Sequence, residues 1–179
     1  MSTLRIYDEV SAGTPKVLVT SGEEIARRLG EHGVRFERWE ASKDISSEAG
    51  QDEIVAAYQP EIEKLMQERG YKSCDVVNMS SEHPQKEAIR AKFRSEHTHS
   101  GDEVRFFVRG RGLFTLHLGD EVYEVICEKN DLISVPAGTP HWFDTGDMPS
   151  FTVIRLFDTV EGWAANYTGS KIADRFSSL

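Results

Sequence analysis

The most informative stretch of this sequence reads His97-Thr-His-Ser-Gly-Asp-Glu-Val-Arg-Phe-Phe-Val-Arg-Gly110. Side chains of a β-strand point to alternate faces, so residues of one parity lie on the same side. His97, His99, Glu103 and Arg105 are all odd-numbered. The pattern therefore predicts one face with two imidazoles, a carboxylate and a guanidinium, provided that the Ser-Gly pair does not shift the parity.

Short strand-like runs follow one another closely from His97 onward. Gly and Asn/Asp residues separate them, and we interpret Gly110-Arg-Gly112 as a hairpin turn. Closely spaced strands with such turns are typical of an antiparallel sandwich or small barrel. The predicted strands are Val104–Val108, Leu113–Leu118, Val122–Cys127, Leu132–Val135 and Phe151–Phe157.

The first half of the chain contains both helix and strand patterns. The clearest is a helix over Asp52 to Arg69, whose apolar residues recur with the 3.6-residue period of an α-helix. We expect one domain over residues 1–179, mainly β with flanking helices. In it, residues 1–95 cover the barrel, 96–160 form its core, and 161–179 form a C-terminal cover.

A further histidine, His141, lies in Val135-Pro-Ala-Gly-Thr-Pro-His141, where two prolines and a glycine make the chain stiff. With His97, His99 and Glu103 it supplies three neutral nitrogens and one carboxylate. This donor set suits iron, nickel, cobalt, manganese or copper better than calcium or magnesium. A closed structural zinc site is disfavoured because no cysteine is present in the set. An octahedral ion would keep two positions open, which points to oxygen chemistry.

Composition excludes several classes of function. The 179 residues carry a formal net charge of −9, so nucleic acid and anionic membranes are poor partners. No apolar run is long enough to span a bilayer, and the first residues do not resemble a secretory signal. Cys74 and Cys127 are far apart and form no CxxC motif, which predicts free thiols in the reducing cytoplasm.

Two segments resemble the two sequence motifs of the cupin superfamily. Residues 97–110 match the first motif, HxH followed by Glu and Gly, and residues 130–141 match the second. Three positions depart from the family pattern, and none of them is a candidate ligand: Ala91, Asn130 and Thr145. The resemblance implies a cupin-type antiparallel β-barrel (jelly roll).

Six segments across most of the chain carry a narrower resemblance: Gly33–Trp39, His83–Arg90, Glu96–His99, Asp102–Val108, Cys127–Asp144 and Glu161–Trp163. Together they resemble the bacterial acireductone dioxygenase family. The resemblance implies an enzyme of methionine salvage that cleaves a methylthio acireductone with O₂. One Fe²⁺ or Ni²⁺ per chain is implied; the iron form gives formate and a 2-keto acid, and the nickel form gives formate, CO and methylthiopropionate.

The same resemblance implies roles for individual residues. Arg105 would generate the substrate dianion, Glu96 would assist metal incorporation, and Asp102 would transmit conformational change. The positions that match the metal ligands are His97, His99, Glu103 and His141. Those that match the substrate pocket are Phe93, Phe143, Arg155 and Trp163, although Arg155 could instead form a salt bridge. We expect a cytoplasmic monomer with a small-molecule substrate.

Two alternative functions stay open at this point. One is another metal-dependent cupin enzyme, such as an isomerase or a flavonol-type dioxygenase. The other is a non-catalytic cupin that binds a small ligand. Four intact candidate ligands disfavour the second alternative.

Overall fold

Short strands and helices alternate in the first half of the chain, and strands dominate the second half. The computed structural model describes residues 1–179. The strands are β1 (Thr3–Asp8), β2 (Val17–Val19), β3 (Arg35–Arg38), β4 (Ser73–Met79), β5 (His97–Thr98), β6 (Glu103–Leu118), β7 (Glu121–Glu128), β8 (Asp131–Val135), β9 (His141–Asp144), β10 (Phe151–Phe157) and β11 (Asn166–Tyr167). The helices are α1 (Gly22–Gly30), α2 (Gln51–Ala57), α3 (Gln59–Arg69), α4 (Lys86–Arg94) and a C-terminal 3₁₀ helix (Ile172–Arg175).

Strand β6 organises the barrel because it belongs to two rows of strands. One row runs β11-β5-β9-β6-β7-β1-β2, and the other runs β4-β10-β6-β8-β3. Every pairing between these strands is antiparallel. The prediction of a mainly β, antiparallel fold with flanking helices is confirmed.

The predicted hairpin turn at Gly110-Arg-Gly112 is wrong. The chain runs through it as one strand of 16 residues, β6. Residues before the bend pair with β8 and β10, and residues after it pair with β7 and β9. Gly110 has a φ of +67°, and a Cβ atom there would collide with the backbone oxygen of Ser150. Glycine therefore bends the strand from one row into the other instead of ending it.

The predicted single helix over Asp52–Arg69 is also wrong, because it is divided at Tyr58. Tyr58 has φ −115° and ψ 21°, outside the helical region, and Pro60 lies in the first turn of α3. A proline has no N–H to donate within a helix, so the helical hydrogen bonding restarts there. Gly70 ends α3 in the left-handed conformation with φ 68°.

The apolar faces of these elements form three clusters. The largest lies inside the barrel and includes Phe107, Phe114 and Phe143. A second joins α2 and α3 to the outer face of the β4-β10-β6-β8-β3 row. The third consists of the 3₁₀ helix and Phe176 against Tyr7, Val122 and Trp142, so the C-terminal residues cover the other row.

No helix of the structure is both long and apolar enough to cross a membrane.

Candidate metal centre

Three adjacent strand ends bring the predicted histidines together. His97 and His99 lie in and just after β5, and His141 opens β9, where it pairs in register with His97. The turn that precedes His141 is fixed by a hydrogen bond from Gly138 N to His99 O at 2.9 Å. All three imidazoles are buried. Pairing of β5 with β9 thus places the two sequence motifs side by side.

Glu103 joins this cluster from the first position of β6. The ligand atoms of His97, His99 and His141 lie within 4.8 Å of one another. Glu103 Oε2 lies 3.4 Å from His99 Nε2 and 3.3 Å from His141 Nε2. The Ser100-Gly101 pair therefore does not turn the carboxylate away from the histidines.

Backbone carbonyls fix the tautomer of each imidazole. The Nδ1 atoms of His97, His99 and His141 hydrogen-bond to the carbonyls of Ser95, Ala164 and Thr139 at 2.7, 2.9 and 2.8 Å. A carbonyl can only accept, so Nδ1 carries a proton in each ring, and in the neutral form of the ring Nε2 keeps its lone pair. This is the arrangement that metal-binding histidines use to orient their rings.

Three inward-facing atoms of the cluster are buried without a hydrogen-bond partner: His99 Nε2, His141 Nε2 and Glu103 Oε2. Each such atom costs about 1–3 kcal/mol when it stays unsatisfied. A divalent cation among them would satisfy all three at once. The residues present therefore fit a metal ion.

The charges of His97, His99 and Glu103 suit the binding of a divalent cation. Burial, with the neighbouring His141, lowers the pKa of His97 to about 3, and burial also lowers the pKa of His99. Both rings are thus neutral near pH 7. Burial alone would raise the pKa of Glu103, but Arg105 and the histidines hold it well below its ordinary value. The cluster offers neutral nitrogens and one carboxylate, as intermediate transition metals prefer.

Arg105 stands directly behind the carboxylate. Its Nε donates to Glu103 Oε1 at 2.7 Å, while its Nη2 is buried without a partner. The guanidinium carbon lies 4.9 Å from the ring centre of Phe114 and 4.8 Å from that of Phe143. Burial lowers the pKa of Arg105 and Glu103 opposes that shift. One edge of Arg105 is committed to Glu103, and Nη2 remains for a ligand.

A cavity of about 360 Å³ opens over the histidines. Its wall contains Arg105 and three of the predicted pocket residues, Phe93, Arg155 and Trp163. Sequence reasoning missed Lys92, Ala165 and Tyr167, which also line it. No carboxylate lines the cavity, which makes it a place for an anion in an acidic protein.

Phe143, which was also predicted to line the pocket, is not part of the cavity wall. Its ring is fully buried in the barrel core, 6.1 Å from the ring of Phe93 and 5.5 Å from that of Phe151. Phe143 lies on the face of β9 that points into the barrel, and its ring packs against the guanidinium of Arg105. It supports the guanidinium instead of facing the cavity.

Glu96 and Asp102 lie beside the metal cluster, and their carboxylates form hydrogen bonds with residues outside it. Glu96 Oε1 accepts from Thr168 Oγ1 at 2.6 Å, and Glu96 Oε2 lies 3.0 Å from His117 Nδ1. Asp102 Oδ1 accepts from Ala137 N at 2.8 Å, in the turn before His141. His117 and Thr168 were missed by sequence reasoning. Neither lies in a recognisable motif, and only the fold brings them to Glu96.

The fold and the site together define a class of protein: a cupin-type antiparallel barrel with a three-histidine metal centre under an anion-accepting cavity. A family model described as the ARD/ARD′ family matches residues 3–165. The chain belongs to this family.

Individual relatives agree with this assignment. Acireductone dioxygenase of Pseudomonas savastanoi pv. phaseolicola (strain 1448A / Race 6) is 58% identical over 179 residues, covering 100% of this chain and 99% of that protein. The protein of the same name from Citrobacter koseri is 56% identical with the same coverage. A solved structure, acireductone dioxygenase from Bacillus anthracis with cadmium ion in active center, is 34% identical with a TM-score of 0.82, covering 93% of this chain and 98% of that chain. The predicted resemblance and the cupin-type fold are thus confirmed.

Proposed function

We propose that this chain is an acireductone dioxygenase of methionine salvage, which cleaves a methylthio acireductone with O₂. The observation that carries the proposal is the group of unpartnered metal-donor atoms of His99, His141 and Glu103, which lies beside a cavity lined by cationic side chains. Full-length relatives with this name support it.

We assign the metal to His97, His99, Glu103 and His141. The related structure from Bacillus anthracis is described with a cadmium ion in its active centre, which supports a divalent cation here. Fe²⁺ and Ni²⁺ are the ions we propose, with formate and the 2-keto acid as products of the iron form, and formate, CO and methylthiopropionate as products of the nickel form. A bound ion would act as Lewis acid and template for the reaction of the enediol with O₂.

Arg105 has the position that favours the anionic form of the substrate. A fixed positive charge lowers the pKa of a neighbouring acid, so a guanidinium at the cavity wall promotes loss of the enediol protons. Its own position is fixed by Glu103 and by the rings of Phe114 and Phe143. Phe93 and Trp163 provide apolar wall for the methylthio chain.

Glu96 and Asp102 act outside the cavity in this proposal. Glu96 ties the segment before His97 to Thr168, and Asp102 ties the segment before Glu103 to the turn that carries His141. These contacts support the roles in metal incorporation and conformational coupling that the family resemblance implies.

We further propose one domain over residues 1–179 and a monomer in the cytoplasm. Strands β1, β3 and β4 of the first half pair with strands of the second half, which supports a single domain. Cys74 and Cys127 are free thiols.

Metal analysis followed by anaerobic addition of the acireductone tests the function. We expect a stoichiometric divalent metal, no reaction without O₂, and loss of the enediol absorbance with release of formate when O₂ is admitted. Metal without loss of absorbance would favour another cupin enzyme, such as an isomerase. Absence of metal from protein made in supplemented cells would favour a ligand-binding cupin.

A further inference from the structure

Three charged side chains lie in one row across neighbouring strands of the barrel. Arg155 on β10 is in register with Asp75 on β4 on one side and with Arg105 on β6 on the other. Arg155 Nε donates to Asp75 Oδ1 at 2.8 Å, and Arg155 Nη2 donates to Asp75 Oδ2 at 2.6 Å. This bidentate geometry fixes the plane of a guanidinium as well as its position.

Arg155 belongs to the cavity wall, whereas Asp75 lies behind it. The Arg155 side chain is 11% exposed, and its guanidinium carbon lies 5.4 Å from the ring centre of Phe157 and 6.0 Å from that of Phe93. Nε and Nη2 are committed to Asp75, so Nη1 is the nitrogen that remains for a ligand. Burial would lower the pKa of Arg155, but Asp75 raises it above its ordinary value.

Two guanidinium groups in adjacent register repel each other unless each has a counter-charge. Glu103 is the counter-charge of Arg105, and Asp75 is that of Arg155. Each carboxylate accepts from the edge of the guanidinium that faces away from its free nitrogens. A third cation of the cavity wall, Lys92, forms no ion pair. The cavity therefore presents two oriented guanidinium groups, and neither has a protein acceptor on its remaining edge.

We propose that Asp75 is a positioning residue: it orients Arg155 so that Nη1 donates to an oxygen of the anionic acireductone beside Arg105. This inference rests on the proposed function and extends it to a residue outside the cavity. Asp75 touches no substrate atom. Its effect on substrate binding passes through Arg155.

The test compares Asp75→Asn with the wild-type protein, both loaded with metal, by anaerobic titration with the methylthio acireductone. An amide offers one acceptor where the carboxylate offered two, and it brings no charge. We expect binding to weaken by roughly tenfold or more, the value of a hydrogen bond to a charged group. KM should rise by a similar factor, with unchanged metal content and a smaller change in kcat.

Glu37→Gln is the matched control. Glu37 accepts from Arg35 Nε at 2.7 Å and from Arg35 Nη2 at 2.9 Å, the same bidentate geometry on strand β3. Neither residue lines the cavity. We expect acireductone affinity to be unchanged in this variant. Equal weakening in both variants would assign the effect of Asp75 to general destabilisation and overturn the inference.

A double-mutant cycle with Arg155→Lys separates positioning from a structural role. If Asp75 acts through Arg155, the double variant binds the acireductone no more weakly than Arg155→Lys alone. Full additivity, or wild-type affinity in Asp75→Asn, would overturn the inference while the proposed function stands. Failure of the wild-type protein to bind the acireductone would overturn both. Should Asp75→Asn fail to fold, unchanged affinity in Arg155→Lys would still overturn the inference.

Discussion

Arg105 and Glu103 are joined by a 2.7 Å hydrogen bond between two residues that are each 1% exposed. The bond uses Glu103 Oε1, while Glu103 Oε2 faces His99 and His141. One carboxylate thus connects the cavity wall with the metal centre. Changes to Arg105 are therefore expected to affect both substrate and ligand geometry, and the two effects are separable.

Replacement of Arg105 by alanine should slow turnover by about 100-fold, the usual cost of removing one oriented donor from an anionic site. We expect the metal to remain bound, since the four proposed ligands are intact. Formate release and metal content, measured on the same preparation, check this. Loss of the metal would show instead that Arg105 acts mainly by holding Glu103.

His141→Ala should weaken metal binding by more than about 100-fold, because even residues that only support a ligand cost up to that factor. His83→Ala is the control, since His83 lies before α4 and outside the metal cluster. Metal content after dialysis and calorimetric titration measure the difference. Equal occupancy in the two variants would remove His141 from the ligand set.

Residue types and strand parity were enough to predict that His97, His99 and Glu103 share one face, because both properties are local. His141 was placed by its motif, but its position on a strand paired with β5 depends on long-range hydrogen bonding. The surroundings of Phe143 and His117 come from elements distant in sequence. Sequence reasoning therefore assigned Phe143 to the pocket instead of the barrel core, and it did not predict the contact of His117 with Glu96. The strand bend at Gly110 was mistaken for a turn because glycine permits both.

Thr168→Val should destabilise the protein by about 1–3 kcal/mol, because it removes the donor to a buried carboxylate oxygen of Glu96. Thr168 follows β11, which pairs with His97. Metal affinity should therefore fall together with stability. Chemical denaturation and metal titration test this, with Thr159→Val as control because the Thr159 hydroxyl has no partner. Unchanged stability in Thr168→Val would contradict the prediction.

Asp144 makes the free energy of unfolding depend on pH in the acid range. Burial would raise the pKa of Asp144, but Arg90 and the N–H groups of Gly146 and Leu179 hold it below its ordinary value. A lowered carboxyl pKa stabilises the fold above the unfolded-state pKa, about 3.9, and the stabilisation disappears as pH falls through the folded-state pKa. Asp144→Asn should cost about 2–3 kcal/mol at neutral pH, with the difference from wild type shrinking below pH ~4.

Asp147→Asn provides the comparison for Asp144, because Asp147 also pairs with Arg90 but its side chain is 85% exposed. Exposed ion pairs contribute little, so we expect a change in stability below about 1 kcal/mol. Urea denaturation of both variants between acid and neutral pH measures the effect. A constant difference between Asp144→Asn and wild type at every pH would contradict the assignment.

Gly110→Ala tests whether the bend in β6 holds the two rows of strands together. Gly119 is the matched control, since its φ of +65° is close to the +67° of Gly110 but a Cβ atom there meets nothing within 4 Å. Left-handed backbone costs a residue with a side chain about 1–2 kcal/mol, so Gly119→Ala should lose that amount. At Gly110 the collision with the Ser150 carbonyl adds to it, and we expect a total above about 3 kcal/mol. Thermal and chemical denaturation of both variants gives the difference, and equal losses would mean that the backbone around Ser150 yields without cost.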